Sequence, residues 1–114
     1  MISSMSFEVR TTPHFERATK LLMKRHRSLK TDLGVLVSLL GENPFQGDEL
    51  SPGIRKIRMA ISSKGRGESG GARVITFTIL ASEEQGAVYL IDIYDKADYS
   101  TMDVSAIRSM VPDI

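Results

Sequence analysis

The sequence predicts an α+β fold in which an N-terminal helical hairpin packs on a small twisted antiparallel β-sheet and a short helix follows the sheet. Apolar residues first recur with helical spacing, from Phe15 to Leu40, and then with a period of two after Gly53. The predicted order is one strand, two helices, three strands and one helix, which groups the helices on one face of the sheet. The length fits one domain covering residues 1–114.

The first strand and the first helix are predicted near the start of the chain. Ser6 to Arg10 alternates apolar and polar residues, as in a half-buried strand. Thr12 and Pro13 favour a helix start, because the hydroxyl can accept from a first-turn amide and proline needs no donor there. Helical spacing then extends this helix to about His26.

A second helix is predicted to begin at Ser28 and to end at Gly41, before Pro44. With the first helix it forms an αα-hairpin. Asn43 to Gly53 contains two prolines and two glycines, so we expect a connecting loop. The apolar stripe of the second helix consists of Leu29, Leu33, Leu36, Val37 and Leu40.

Three strands and a final helix are predicted after this loop. The strands alternate or are rich in β-branched and aromatic residues, and the turn Ser82 to Gly86 joins the last two into a meander. A short helix is expected from about Met102 to Met110, ended by Pro112. The predicted strands are Ile54 to Ile61, Val74 to Leu80 and Val88 to Tyr94.

Charge is divided unevenly along the chain. Residues 1–73 contain 13 lysines and arginines against 7 acidic residues, whereas residues 74–114 contain 2 against 7. Residues 53–73 hold six of the basic residues, and Glu68 is their only acid. This asymmetry is typical of proteins that bind nucleic acid or another polyanion, although charge alone leaves an ordinary mixed surface as the alternative.

Composition excludes several classes of protein. The absence of cysteine excludes disulfides, thiolate nucleophiles and cysteine-bound metal. No segment approaches the length of an apolar membrane span, and the start of the chain lacks the features of a signal peptide. We therefore expect a cytoplasmic protein with no membrane contact and no cofactor.

The histidines and the C-terminal aspartates do not form a recognisable catalytic or metal motif. His14 and His26 fall at opposite ends of the first helix, which argues against a two-histidine ribonuclease. Asp92, Asp95 and Asp98 have no histidine at metal-binding spacing, so a solvated strand end is expected. No metal site is predicted.

Gly65, Gly67 and Gly70 match the G-x-G-x-x-G pattern of dinucleotide-binding turns. That turn must lead into a helix, whereas these glycines lead into a predicted strand. A flexible hairpin loop is the better interpretation. Lys64 and Arg66 in this loop are predicted to contact an RNA backbone.

Lys56 and Arg58 are the strongest binding candidates, because positions i and i+2 of a strand share a face about 7 Å apart, close to the spacing of successive phosphates. A solvated outer face is the alternative for this pair. Arg73 opens the next strand and adds a third cation at the same end of the sheet. Arg55, in the same run, is also predicted to contact RNA.

Four stretches of the sequence together form a specific pattern: residues 53–60, 64–67, 70–75 and 89–98. They resemble the RelE/ParE superfamily of toxins from bacterial type II toxin–antitoxin systems, in particular its HigB-like RelE members. The helical hairpin matches in layout more than in sequence. Membership implies a RelE-like fold and a metal-independent mRNA interferase, an endoribonuclease that enters the ribosomal A site, cuts the exposed codon and is silenced by a cognate antitoxin.

The resemblance assigns site residues unevenly. Lys56 and Arg58 match the family's pair of strand cations, Arg73 matches the arginine that opens the following strand, and Lys96 lies beside its basic position after the last strand. Ala97 replaces the arginine next to that position in the best-known members.

The family's C-terminal tyrosine is absent as well. Met102 or Asp103 stands where it would align, and Tyr94 or Tyr99 could substitute. These departures affect the catalytic details more than the family.

The resemblance implies attack of a ribose 2′-hydroxyl on the adjacent phosphate. Arg58 and Arg73 would stabilise the phosphorane and Lys56 would act as general base. Two alternatives stay open on the sequence: a ParE-like toxin that poisons DNA gyrase, and a basic RNA-binding module without catalysis.

Overall fold

The computed structural model describes residues 6–65, 67–98 and 103–111. A five-stranded sheet carries two helices on one face and a short third helix on the other. A 3₁₀ turn, Ser62–Lys64, follows β3. In chain order the other elements are β1 (Ser6–Thr11), α1 (Pro13–Arg25), α2 (Leu29–Glu42), β2 (Asp48–Ser51), β3 (Ile54–Met59), β4 (Ala72–Leu80), β5 (Gln85–Asp95) and α3 (Val104–Ser109).

The strand order in the sheet is β1-β5-β4-β3-β2. The predicted meander of β3, β4 and β5 is confirmed, and its strands pair antiparallel. β1 pairs parallel with β5 at the opposite edge from β2. β2 was predicted as loop, because four residues without an apolar alternation carry no strand signal. Its pairing with β3, from Asp48 opposite Lys56 to Ser51 opposite Ile54, makes it a strand.

The start of α1 follows the prediction. The Thr12 hydroxyl accepts from the amide of Phe15 at 3.2 Å, and Pro13 occupies the first helical position. α1 ends where predicted, with the amide of His26 donating to Leu22 O at 2.9 Å.

No helix in the described part of the chain is long and apolar enough to cross a membrane.

Two clusters of buried side chains lie on opposite faces of the sheet. On the face covered by α1 and α2, here called the helix face, Leu29, Leu40 and Val74 are fully enclosed. On the opposite or outer face, Ile107 of α3 packs with a group from the sheet. The expectation that all helices share one face therefore fails for α3, which had too short a pattern to show which face it covers. The sheet residues of that group are Ile54, Ile75, Ile91 and Tyr94.

Candidate functional site

The alternation of β3 separates its basic side chains from its apolar ones. Ile57 and Met59 are buried in the helix-face cluster, so Lys56 and Arg58 lie on the outer face. Lys56 is partly exposed and Arg58 is exposed. Among the described residues, neither side chain forms an ion pair or a hydrogen bond. The pair therefore keeps its charge available to an anion from outside.

Lys56 and Arg58 line a cavity of about 510 Å³ at the β2 edge of the sheet. β2 pairs with β3 only as far as Lys56, so the edge beside Arg58 is left uncovered by a strand. Arg58 also lines a second cavity, of about 280 Å³, against α2. Glu68, from the loop between the 3₁₀ turn and β4, is the other residue common to both cavities.

Arg73 lies directly opposite Arg58 in the β3–β4 register, as expected, but its guanidinium is not open to solvent. It is only 4% exposed, and its donors are bound to main-chain carbonyls. In the loop that carries Glu68, Nη1 donates to Glu68 O at 3.0 Å and Nη2 to Ser69 O at 3.2 Å, and Nη1 also donates to Ala72 O at the start of β4 at 3.2 Å. All three cations were expected to be open to solvent. Lys56 and Arg58 are open to it, whereas Arg73 is buried and holds the loop.

The backbone of Lys96 lies at this end of the sheet, where its amide donates to Gly71 O at 3.0 Å. Ala97 is exposed, and its amide donates to an Asp95 oxygen at 2.9 Å. Lys96, which comes directly after β5, therefore lies close to the start of β4, where Arg73 is located.

The remaining predicted RNA contacts lie elsewhere. Arg55 alternates onto the helix face, where it donates to Gly47 O at 3.2 Å and lies 5.4 Å from the centre of the Phe45 ring. Lys64 donates to Asp95 Oδ1 at 2.8 Å, and its side chain is only 16% exposed. Arg66 falls outside the described residues. Neither Arg55 nor Lys64 joins the cation pair of Lys56 and Arg58.

Tyr94 and Tyr99 are the proposed substitutes for the C-terminal tyrosine of RelE members, and the structure describes Tyr94 but not Tyr99. Tyr94 lies opposite Arg73 in the β4–β5 register and is 4% exposed. Burial raises the pKa of Tyr94, against the opposing effect of Arg73. Asp103 caps α3 by accepting from the amide of Ser105 at 3.2 Å. Tyr99 and Met102 fall outside the described residues.

No protein-family model matches this sequence. A solved structure of the free E. coli toxin RelE, a variant with two arginine-to-alanine substitutions, superimposes with a TM-score of 0.54. The sequences are 18% identical, and the match covers 93% of this chain and 94% of that one. The chain has a RelE-like fold.

The RelE-like fold contains two buried aspartates that were expected at a solvated strand end. Asp95 is 1% exposed and accepts from His26 at 2.8 Å as well as from Lys64 and, at 3.3 Å, from Arg25. Burial alone would raise the pKa of Asp95, but the hydrogen bonds from Lys64, the Ala97 amide and His26 lower it to about 2.

Asp92 shows the same departure from expectation. It is 4% exposed, and its Oδ1 lies 3.0 Å from His14 Nε2. β5 lies between two other strands and under α1, so its polar side chains meet the two ends of that helix. A sequence signal existed, since Asp92 stands between Ile91 and Ile93 in a buried strand.

Among the described residues of this RelE-like fold, no group of three or more His, Asp or Glu side chains is arranged to hold a metal ion.

Proposed function

We propose that this protein is the toxin of a bacterial toxin–antitoxin pair and that it cleaves messenger RNA on the ribosome. The proposal includes attack of the ribose 2′-hydroxyl on the adjacent phosphate, with Lys56 and Arg58 binding that phosphate. A cognate antitoxin would silence the protein by covering the same face with acidic or helical segments.

The cation pair of Lys56 and Arg58 is the observation that supports this function most. Cations on a protein surface are ordinarily paired or scattered, whereas these two share one face of a rigid strand and line one open cavity. Their spacing along the strand, about 7 Å, suits adjacent phosphates of a nucleic-acid backbone. Because the chain has a RelE-like fold, we favour a role of this pair in RNA cleavage over the alternative that it is an ordinary solvated surface.

Arg58 would stabilise the negative charge that grows on the phosphorane, and Lys56 would hold the neighbouring phosphate or take part in proton transfer. Loss of one such electrostatic contact typically costs ~10²- to 10³-fold in rate. We assign Lys96 to a further contact with the substrate from the end of β5. Arg73 contributes through the loop that it holds, because its donors are already bound to carbonyl groups.

Cleavage of ribosome-bound message tests the proposal. Purified ribosomes programmed with a defined mRNA are mixed with the wild-type protein, with Lys56→Ala or with Arg58→Ala, and new 5′-hydroxyl ends are mapped. We expect codon-specific ends for the wild type and a loss of roughly 10²-fold or more for each variant. Lys20→Ala removes an exposed lysine of α1 and should cleave as the wild type does.

Two results would contradict the proposal. Wild-type rates for both Lys56→Ala and Arg58→Ala would remove the cation pair from catalysis. Gyrase-linked DNA breaks in expressing cells, without new mRNA ends, would identify a gyrase-poisoning toxin instead.

The same message without ribosomes should be cut far more slowly, because the ribosome orients the substrate.

A further inference from the structure

We propose that Glu68 is the general base of this site and that Arg73 positions it. This inference rests on the proposed ribonuclease function. Glu68 is the only acid among residues 53–73, it is exposed, and like Arg58 it lines both cavities. The proposed phosphate site needs a group that accepts a proton, and Glu68 supplies a carboxylate in the same cavity as Lys56 and Arg58.

The loop geometry places Glu68 in the cavity wall. Its main-chain carbonyl accepts from Arg73 Nη1 at 3.0 Å and from the amide of Gly71 at 3.4 Å. Arg73 is buried in the sheet and also holds Ser69 O, so the segment that carries Glu68 is fixed to β4 at two successive carbonyls. The carboxylate takes no part in these contacts, and no residue that the structure describes forms a hydrogen bond or an ion pair with it. Arg73 thus acts through Glu68 rather than on the phosphate.

The charges around Glu68 come from several elements. Lys56 and Arg58 of β3 and Asp48 of β2 line the larger cavity with it, and Asp32 of α2 lines the smaller one. Asp32 is already engaged, because both its oxygens accept from Ser62 or Ser28. Asp48, opposite Lys56 in the register, is therefore the rival carboxylate at this site.

The chemistry favours a carboxylate over Lys56 as the base. At neutral pH a carboxylate is ready to accept a proton, whereas an ammonium group must first lose one. In the proposed step the Glu68 carboxylate takes the 2′-hydroxyl proton, the 2′ oxygen bonds to phosphorus, and the bond from phosphorus to the 5′ oxygen breaks. The 5′ oxygen takes a proton from the Lys56 ammonium and departs as a 5′-hydroxyl. The other product is a 2′,3′-cyclic phosphate, and both side chains regain their charge by exchange with water.

Single-turnover cleavage on programmed ribosomes tests this assignment with three variants. Glu68→Gln keeps the carbonyl that Arg73 holds, Asp48→Asn removes the rival carboxylate, and Glu83→Gln is a matched control on the exposed β4–β5 turn. We expect Glu68→Gln to lose ~10²- to 10³-fold in rate, within the usual contribution of a general base, and the other two to stay within about threefold of wild type.

Two further readouts separate catalysis from structure. The wild-type rate should fall as the pH is lowered, because a protonated carboxyl cannot accept the 2′ proton, and Glu68→Gln should lack this acid limb. Ribosomes with a 2′-deoxy nucleotide at the cleavage position cannot react, so they report binding alone. Glu68→Gln should bind them at least as tightly as the wild type, since it removes a negative charge from an anion site.

The outcomes distinguish this inference from the function on which it rests. The assignment of Glu68 is wrong if Glu68→Gln cleaves within about threefold of the wild-type rate, or if its rate still falls at low pH. The ribonuclease function stands in that case as long as Lys56→Ala is inactive. If Asp48→Asn instead shows both the slow cleavage and the missing acid limb, Asp48 is the general base and the assignment of Glu68 is wrong. Absence of cleavage by the wild-type protein overturns the ribonuclease function and this inference together.

Discussion

The Lys64 ammonium lies 2.8 Å from Asp95 Oδ1, and this contact joins the 3₁₀ turn after β3 to the end of β5. The loop that follows Lys64 is thus anchored at its start by an ion pair and at its end by the Arg73 hydrogen bonds. Glu68 is part of the second anchor, because its carbonyl accepts from Arg73. Asp95 and its partners Arg25, His26 and Lys64 lie on the helix face, and through Lys64 they support the proposed site on the outer face.

Replacement of Asp95 by Asn should destabilise the fold. The change leaves Lys64, which is largely buried, without its carboxylate, and breaking a buried pair in this way costs about 3 kcal/mol or more. Equilibrium unfolding in urea measures the loss. Asp98→Asn is the matched control, because the side chain of that exposed aspartate pairs with Arg25 near the surface, and it should cost less than about 1 kcal/mol. Equal losses for the two variants would contradict the prediction.

Acid should remove the contribution of Asp95 to stability. Its folded pKa of about 2 lies below that of an aspartate in an unfolded chain, so the contribution is present above about pH 4 and is lost as the pH falls towards 2. A difference of about two between the folded and unfolded pKa values corresponds to about 2.7 kcal/mol of stability. The free energies of unfolding of the wild type and of Asp95→Asn, measured from pH 6 to pH 2, should converge over that window. Parallel curves would show that Asp95 does not titrate as expected.

Removal of the Thr12 hydroxyl should weaken the link between α1 and the sheet. That hydroxyl accepts from the Phe15 amide at 3.2 Å and donates to Leu90 O at 3.0 Å, and the residue is buried. Thr12→Ala should therefore cost about 1–2 kcal/mol in the free energy of unfolding. Thr12→Ser keeps the hydroxyl and should retain most of the stability. A loss in Thr12→Ser as large as in the alanine variant would point to the lost methyl group instead.

Gly71 should not tolerate a side chain. A Cβ there would lie 2.1 Å from Met59 O, and the rigid β3–β4 pairing leaves that carbonyl no room to move. Gly71→Ala should cost about 2–3 kcal/mol and loosen the loop that carries Glu68. Gly34→Ala in α2 meets nothing within 4 Å and should instead stabilise by about 0.5–1 kcal/mol. Thermal unfolding compares the pair, and similar midpoints would contradict the prediction.

Much of the fold followed from local patterns. The Thr12–Pro13 start of α1, the end of that helix at His26 and the three strands of the meander have signals within a few residues, because capping and alternation are local effects. β2 lacked such a signal, since four residues become a strand there only by pairing with β3. The face on which α3 packs depended on Ile107, whose partners come from β3, β4 and β5.

For the site, the alternation of side chains along a strand is enough to predict that Lys56 and Arg58 share one face. Which cations stay available to an anion depends on packing between distant parts of the chain. The tertiary structure binds Arg73 to loop carbonyls and Lys64 to Asp95, and it brings His14 and His26 onto aspartates 78 and 69 residues away. Partners so distant in the chain leave no periodic trace in a sequence, and they are set by how β5 packs beneath α1.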